Sequence, residues 1–219
     1  MVAENLISNN MVPLRTDDKG REALAIMNLF SVRHLPVVED NKLLGVISED
    51  EILANEIDLP IKSYGLQYGR AFVFTYDHVY EIMRQMAEKQ LTAIPVINEQ
   101  NEYIGLISQD ELLKFFANTS AFVENGSIVV LEIGKRDYSL AEISRLVESE
   151  NATILSSFIT SHPDSQKLDV TLKLNTQAVN AVLNTLERFG YSVKASFNEN
   201  DYLDTLKERY DSLMSFLNV

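Results

Sequence analysis

The chain has no cysteine among its 219 residues, which rules out disulfides and thiolate chemistry and makes cytoplasmic residence the simplest expectation. Its three histidines, His34, His78 and His162, are scattered, and no two stand at the i, i+4 spacing of a helical metal site. No apolar run approaches the roughly 20 residues that a membrane-spanning helix needs, and the N-terminus lacks the basic and apolar regions of a signal peptide. Positive charge is also scarce. With 19 Lys and Arg against 32 Asp and Glu, the net charge of −13 repels phosphate backbones, so nucleic acid is not an expected partner. An anionic nucleotide would need local help from residues such as Arg15, Arg33 or Arg70. A Walker loop, a G-x-G-x-x-G turn and a nucleophile elbow are absent, and the carboxylates are too numerous for any pair to point to catalysis. The expectation is therefore a protein that is not an enzyme. With 46% hydrophobic and 23% charged residues, the composition is that of an ordinary globular protein, long enough for two modest domains.

The first half contains a repeat. The stretch Leu35-Pro36-Val37-Val38 to Gly45-Val46-Ile47-Ser48-Glu49-Asp50-Glu51-Ile52-Leu53 recurs as Ile94-Pro95-Val96-Ile97 to Gly105-Leu106-Ile107-Ser108-Gln109-Asp110-Glu111-Leu112-Leu113. Pro36 and Pro95 are 59 residues apart and Gly45 and Gly105 are 60 apart, so the second hairpin is one residue longer. A long unit present twice suggests a pair closed on itself with a ligand cleft between the halves. Each copy reads as strand, helix, hairpin, helix. Ala23, Leu24, Met27 and Phe30 mark the face of the first helix, and Val79, Ile82, Met83, Met86 and Ala87 that of its counterpart. Thr16, Asp17 or Asp18 is the expected cap of the first, and Thr75 or Asp77 of the second. Ser48 with Glu51, and Ser108 with Glu111, read as capping boxes that need no ligand, although a helix N-terminus also attracts phosphate.

These elements, found twice in order over about residues 4 to 117, resemble the cystathionine β-synthase (CBS) domain family. The resemblance implies an adenosine-containing ligand between paired domains that regulates an attached activity, and no required cofactor. It implies phosphate contacts at Ser48 and Ser108 and ribose contacts at Glu51 and Glu111, each acid one methylene longer than the family's usual Asp. Arg33 and His34 join them as candidates. For His34, whose counterpart is Ala93, the alternative is a plain surface histidine.

From Ser127 the chain reads β-α-β-β-α-β, with two helices on one face of an antiparallel sheet. Leu168, Val170, Leu172 and Leu174 alternate with polar residues, Val179, Val182, Leu183 and Leu186 form a helix face closed by Gly190, and Ser139 to Glu142 is a third capping box. The order resembles an ACT domain, which implies amino-acid binding at the loop from Gly134 through Arg136 to Ser139. The alternative is a solvated loop on a domain that only mediates association. Leu203, Leu206, Tyr210, Leu213 and Leu217 then form a heptad-like stripe too short for an independent coiled coil.

The expected fold is α+β: CBS repeats over 1–58 and 59–117, a connector over 118–126 with Phe122 and Val123 buried, an ACT-like domain over 127–198 and a C-terminal helix over 199–219. This order is similar to that of acetoin-utilisation accessory proteins. The expected function is that of a regulatory homodimer sensing AMP, ADP, ATP or S-adenosylmethionine and acting on a partner enzyme or transporter. An adaptor with plugged cavities and an amino-acid sensor remain as alternatives.

Overall fold

The computed structural model describes residues 1–8, 11–66, 71–161, 163, 165–198 and 214. The chain folds as two compact units, Met1–Ala117 and Asn118–Val219. Among the described residues no helix is long and apolar enough to cross a membrane. The stripe from Leu203 to Leu217, together with Arg70 and His162, lies outside the described residues.

In the first unit, α1 (Gly20–Phe30) leads into an antiparallel hairpin, β1 (His34–Glu39) with β2 (Lys42–Ser48), and then α2 (Glu49–Leu53). The second copy runs β3 (Val73–Phe74), α3 (Val79–Glu88), β4 (Ala93–Ile97), β5 (Tyr103–Ser108) and α4 (Gln109–Ala117). β3 pairs parallel with β4, whereas the opening strand of the first copy shrinks to a single parallel bridge from Leu14 to Val37. The short first hairpin turns through Asp40 and Asn41, both at positive φ (48° and 61°), a backbone that Asp and Asn tolerate better than most residues.

Successive strand residues point to opposite faces, and the two copies use this to share their cores. Ile47 packs in the cluster of its own copy with Leu35, Met27 and Ile52, while its neighbour Val46 joins Ile82, Ile94 and Ile107 of the second copy. Ala93 and Leu106 make the reverse exchange. The repeats therefore form one folding unit. Residues at the N-terminus complete it: Ala3 N donates to Asp77 O (2.9 Å), Ser8 N donates to Leu106 O (2.8 Å), and Ile7 lies over Gly105, where a β-carbon would collide with it.

Several sequence expectations need correction here. Lys19 precedes α1 as its N-cap, with the Glu22 carboxylate accepting from Lys19 N at 2.9 Å, while Asp18 closes the preceding turn by accepting from Arg15 N at 2.7 Å. His78, not Thr75 or Asp77, caps α3, its Nδ1 accepting from Tyr80 N, and Asp77 serves Phe74 N. Only Val79, Ile82 and Met86 of the α3 face are buried. Met83 and Ala87 lie outside the contact, because apolar spacing gives the direction of a face but not its width.

In the second unit, α5 (Ser120–Val123) precedes β6 (Ser127–Gly134), α6 (Leu140–Ser149), β7 (Ile154–Ser161), β8 (Lys167–Leu174), α7 (Asn180–Arg188) and β9 (Ser192–Asn198). The sheet order is β7-β8-β6-β9 and every pairing is antiparallel. Leu131, Val170 and Leu172 face Ile143, Leu146, Val182 and Leu186 of the two helices in one core. Gly190, at φ 87°, ends α7 where an L side chain would be strained. Phe122 and Val123, expected to be buried, are 64% and 63% exposed. They sit on a single helical turn that offers too little surface to enclose them, and lone apolar residues outside a periodic segment carry no burial signal.

Candidate functional site

The strand-to-helix turns hold the four residues at which the repeat points. Ser48 caps α2 with extended backbone (φ −99°, ψ 158°), and its Oγ accepts from Glu51 N at 3.2 Å. The Glu51 carboxylate folds back to accept from Ser48 N at 2.7 Å and from Ser48 Oγ at 2.9 Å, so the first box is closed. Ser108 Oγ likewise accepts from Glu111 N at 3.2 Å, but the Glu111 carboxylate turns to Lys114 Nζ at 3.5 Å. Both serines are buried.

Arg33 and His34 lie where the copies meet. Arg33 N donates to Thr92 Oγ1 at 2.7 Å, while its guanidinium reaches Glu49 at 3.0 Å and Asp50 at 3.1 Å. His34, for which a surface position was one expectation, is only 8% exposed. Its Nδ1 accepts from Thr92 N at 3.3 Å and lies 3.1 Å from Thr92 Oγ1. An Nδ1 that accepts from an amide carries no proton, so this contact requires the neutral ring with its proton on Nε2. Burial lowers the His34 pKa, and the Arg33 charge adds to that, outweighing the opposite pull of Asp50 and Glu51. The ring therefore acts as a hydrogen-bonded joint between copies and is a poor source of positive charge for phosphate.

Sequence reasoning missed Thr92, although aligning the copies at their prolines places it opposite Arg33. Thr92, Gln109 and Asp110 line a recess of about 520 Å³ whose other wall is the end of α1. Among the described residues, no group of three or more His, Asp or Glu is placed to hold a metal.

In the second unit, Gly134 lines a recess of about 280 Å³ with Glu132, Asp137, Glu142 and Tyr191, whereas Arg136 and Ser139 are not part of its lining. Ser139 instead caps α6, accepting from Glu142 N at 3.3 Å, and Arg136 is exposed. Tyr191 donates to Glu142 at 3.1 Å. Burial first, and that bond second, push its pKa up to about 12. Of its three carboxylates, Glu132 is paired with Lys167 and Glu142 accepts from Tyr191.

Comparison with known proteins agrees on the first unit. Residues 2–58 and 71–118 match the profile of the CBS domain family. A CBS domain-containing protein of Methanocaldococcus jannaschii is 25% identical over 120 residues, covering 54% of this chain and 97% of the relative. Inosine-5'-monophosphate dehydrogenase of the same organism is 24% identical over 153 residues, covering 68% of this chain and 30% of the relative. Matches to that enzyme and to a homoserine O-acetyltransferase of Methanococcus vannielii span only 30% and 24% of those proteins. Among solved structures, a CBS domain pair/ACT domain protein of Thermotoga maritima superposes with a TM-score of 0.48 at 18% identity, over 53% of this chain and 96% of that one.

Proposed function

Since residues 2–58 and 71–118 form a tandem CBS domain pair, we propose that the protein is a regulator without catalytic activity of its own. It binds an adenosine-containing ligand, AMP, ADP, ATP or S-adenosylmethionine, between the repeats. The supporting observation is the pair of equivalent strand-to-helix turns at Ser48 and Ser108 within repeats that share their core, so that a change at one turn is felt by the other. The second unit acts as an ACT-like reader, passing the ligand signal to an enzyme or transporter in the same or another chain, and the working form is a homodimer. Calorimetry with the four ligands tests the binding. Glu111→Ala is expected to weaken it by more than it lowers the melting temperature, and the absence of heat with all four would remove this reading.

The adaptor reading has one specific observation in its favour. Glu51 already engages its carboxylate with Ser48 N and Oγ, so repeat 1 satisfies itself without a ligand. A chain that binds none of the four ligands yet retains a partner through its first unit would be such an adaptor.

A further inference from the structure

The sheet of the second unit buries one face against its helices and leaves apolar surface on the other. Along β6, Val129, Leu131 and Ile133 point into the core beside α6 and α7, so Ile128, Val130 and Glu132 point to the opposite side. The strand register carries that side across all four strands. One row runs Phe158, Thr171, Val130, Ala195, and the next runs Ser156, Lys173, Ile128, Phe197. The row beyond Val130, made of Thr160, Asp169, Glu132 and Ser192, is polar, and its two acids are paired with Lys194 and Lys167. Apolar surface is thus gathered at the end of the sheet where Asn198 pairs with Ser127 and the chain leaves β9. Phe158 and Phe197, on the two edge strands, are 51% and 59% exposed among the described residues.

We infer that this face is the docking site of the chain's own C-terminal segment, 203–217, which lies on it as an amphipathic helix. The inference is independent of the adenosine reading. On such a helix Leu203, Leu206, Tyr210, Leu213 and Leu217 share one side, with Glu208 opposite, and Met214, described within the segment, has helical backbone. A helix this short is marginal in water unless its apolar side is buried, and an apolar sheet face has the same need. The dimensions fit. Strand spacing sets Phe197 and Phe158 about 16 Å apart. The helical rise from Leu203 to Leu213 is about 15 Å. Charge fits as well, because Asp201 and Asp204 enter beside the row that holds Lys173. The tether selects the occupant: with only residues 199–202 between β9 and the stripe, the chain's own segment has an effective concentration on the order of millimolar. A second copy's segment competes only at the concentration of the protein itself.

The absence of cysteine makes the test clean. In the full chain, Thr171→Cys combined with Leu206→Cys should be bridged by a short bis-maleimide within a single chain of 24.8 kDa. Thr171→Cys combined with Glu208→Cys, on the opposite side of the helix, should be bridged several-fold less. Hydrogen exchange supplies a readout without a cross-link: amides of 203–217 should be protected in the wild type, and Phe158→Lys, at a half-exposed position on an edge strand, should lower that protection at least about tenfold while leaving β6 and β8 protected. Bridging between two chains would assign the face to a second copy and overturn the inference. Equal bridging of both pairs, no bridging of either, or protection of 203–217 that is absent from the wild type or unchanged in Phe158→Lys would overturn it too, and none of these outcomes bears on adenosine binding by the first unit.

Discussion

A histidine whose Nδ1 accepts a backbone amide can be protonated only by breaking that bond, so His34 ties stability to pH. Its folded pKa is lowered from 6.5, chiefly by burial, so the unfolded chain takes up the proton more readily than the folded one. The stabilisation is therefore complete above pH 6.5 and is lost as pH falls through the lower folded value. His34→Asn keeps an acceptor for Thr92 N without the titration. Urea midpoints of wild type and variant should converge, or cross, between pH 7.5 and 5, and a constant difference across that range would show that the ring does not titrate on unfolding. Tyr103 offers a second residue-scale test. Its hydroxyl is buried without a hydrogen-bond partner among the described residues, and burial pushes its pKa far above 10. An unmet buried hydroxyl costs about 1–3 kcal/mol, so Tyr103→Phe should leave stability unchanged or raise it by about 1 kcal/mol in denaturant titration. At this scale the sequence exposed Ser48, Glu51, Ser108 and Glu111 through their spacing, because a capping box is local. It did not reveal that Glu51 closes on Ser48 while Glu111 turns to Lys114, since that choice depends on neighbours beyond the box.

At the scale of elements, the hairpins and the alternating strand β8 were legible because a period of two with one face buried leaves little freedom of register. The sheet order β7-β8-β6-β9 follows from the same β-α-β-β-α-β reading. Helix caps were less legible. Thr16, Asp17 and Asp18 all have capping chemistry, yet the chain uses Asp18 for the turn before and starts α1 behind Lys19. Face width is set by what a helix packs against, and α3 shows it. Met86 is 3% exposed in the core of the second copy, while Met83, at the edge of the same face, is 41% exposed. Met86→Ala should cost about 2–5 kcal/mol through the cavity it leaves. Met83→Ala should stay within about 0.5 kcal/mol. Equal losses in chemical denaturation would mean that the buried face extends to Met83, and the width assigned to the face of α3 would be wrong.

For the whole molecule, regulation requires the two units to share free energy as well as a chain. The exposed Phe122 and Val123 give the connector no buried apolar anchor of its own. Coupling must then come from the ligand binding two arrangements of the protein with different affinity, because a ligand indifferent to them shifts nothing. Such couplings are typically about 1–3 kcal/mol, or roughly 5–150-fold in an equilibrium constant. Self-association belongs to the same scale, and light scattering should return a mass twice 24.8 kDa; a single 24.8 kDa species at every concentration would remove the homodimer. Hydrogen exchange reads the coupling directly. Saturation of the first unit with its ligand should change protection in β6 and at the start of α6, where Ser127 to Ile143 join the central strand to the core helix. Protection that changes around Ser48 and Ser108 but stays fixed from Ser127 to Ile143 would mean that the ligand binds without being read by the second unit. The chain would then be a ligand-binding pair joined to an independent module.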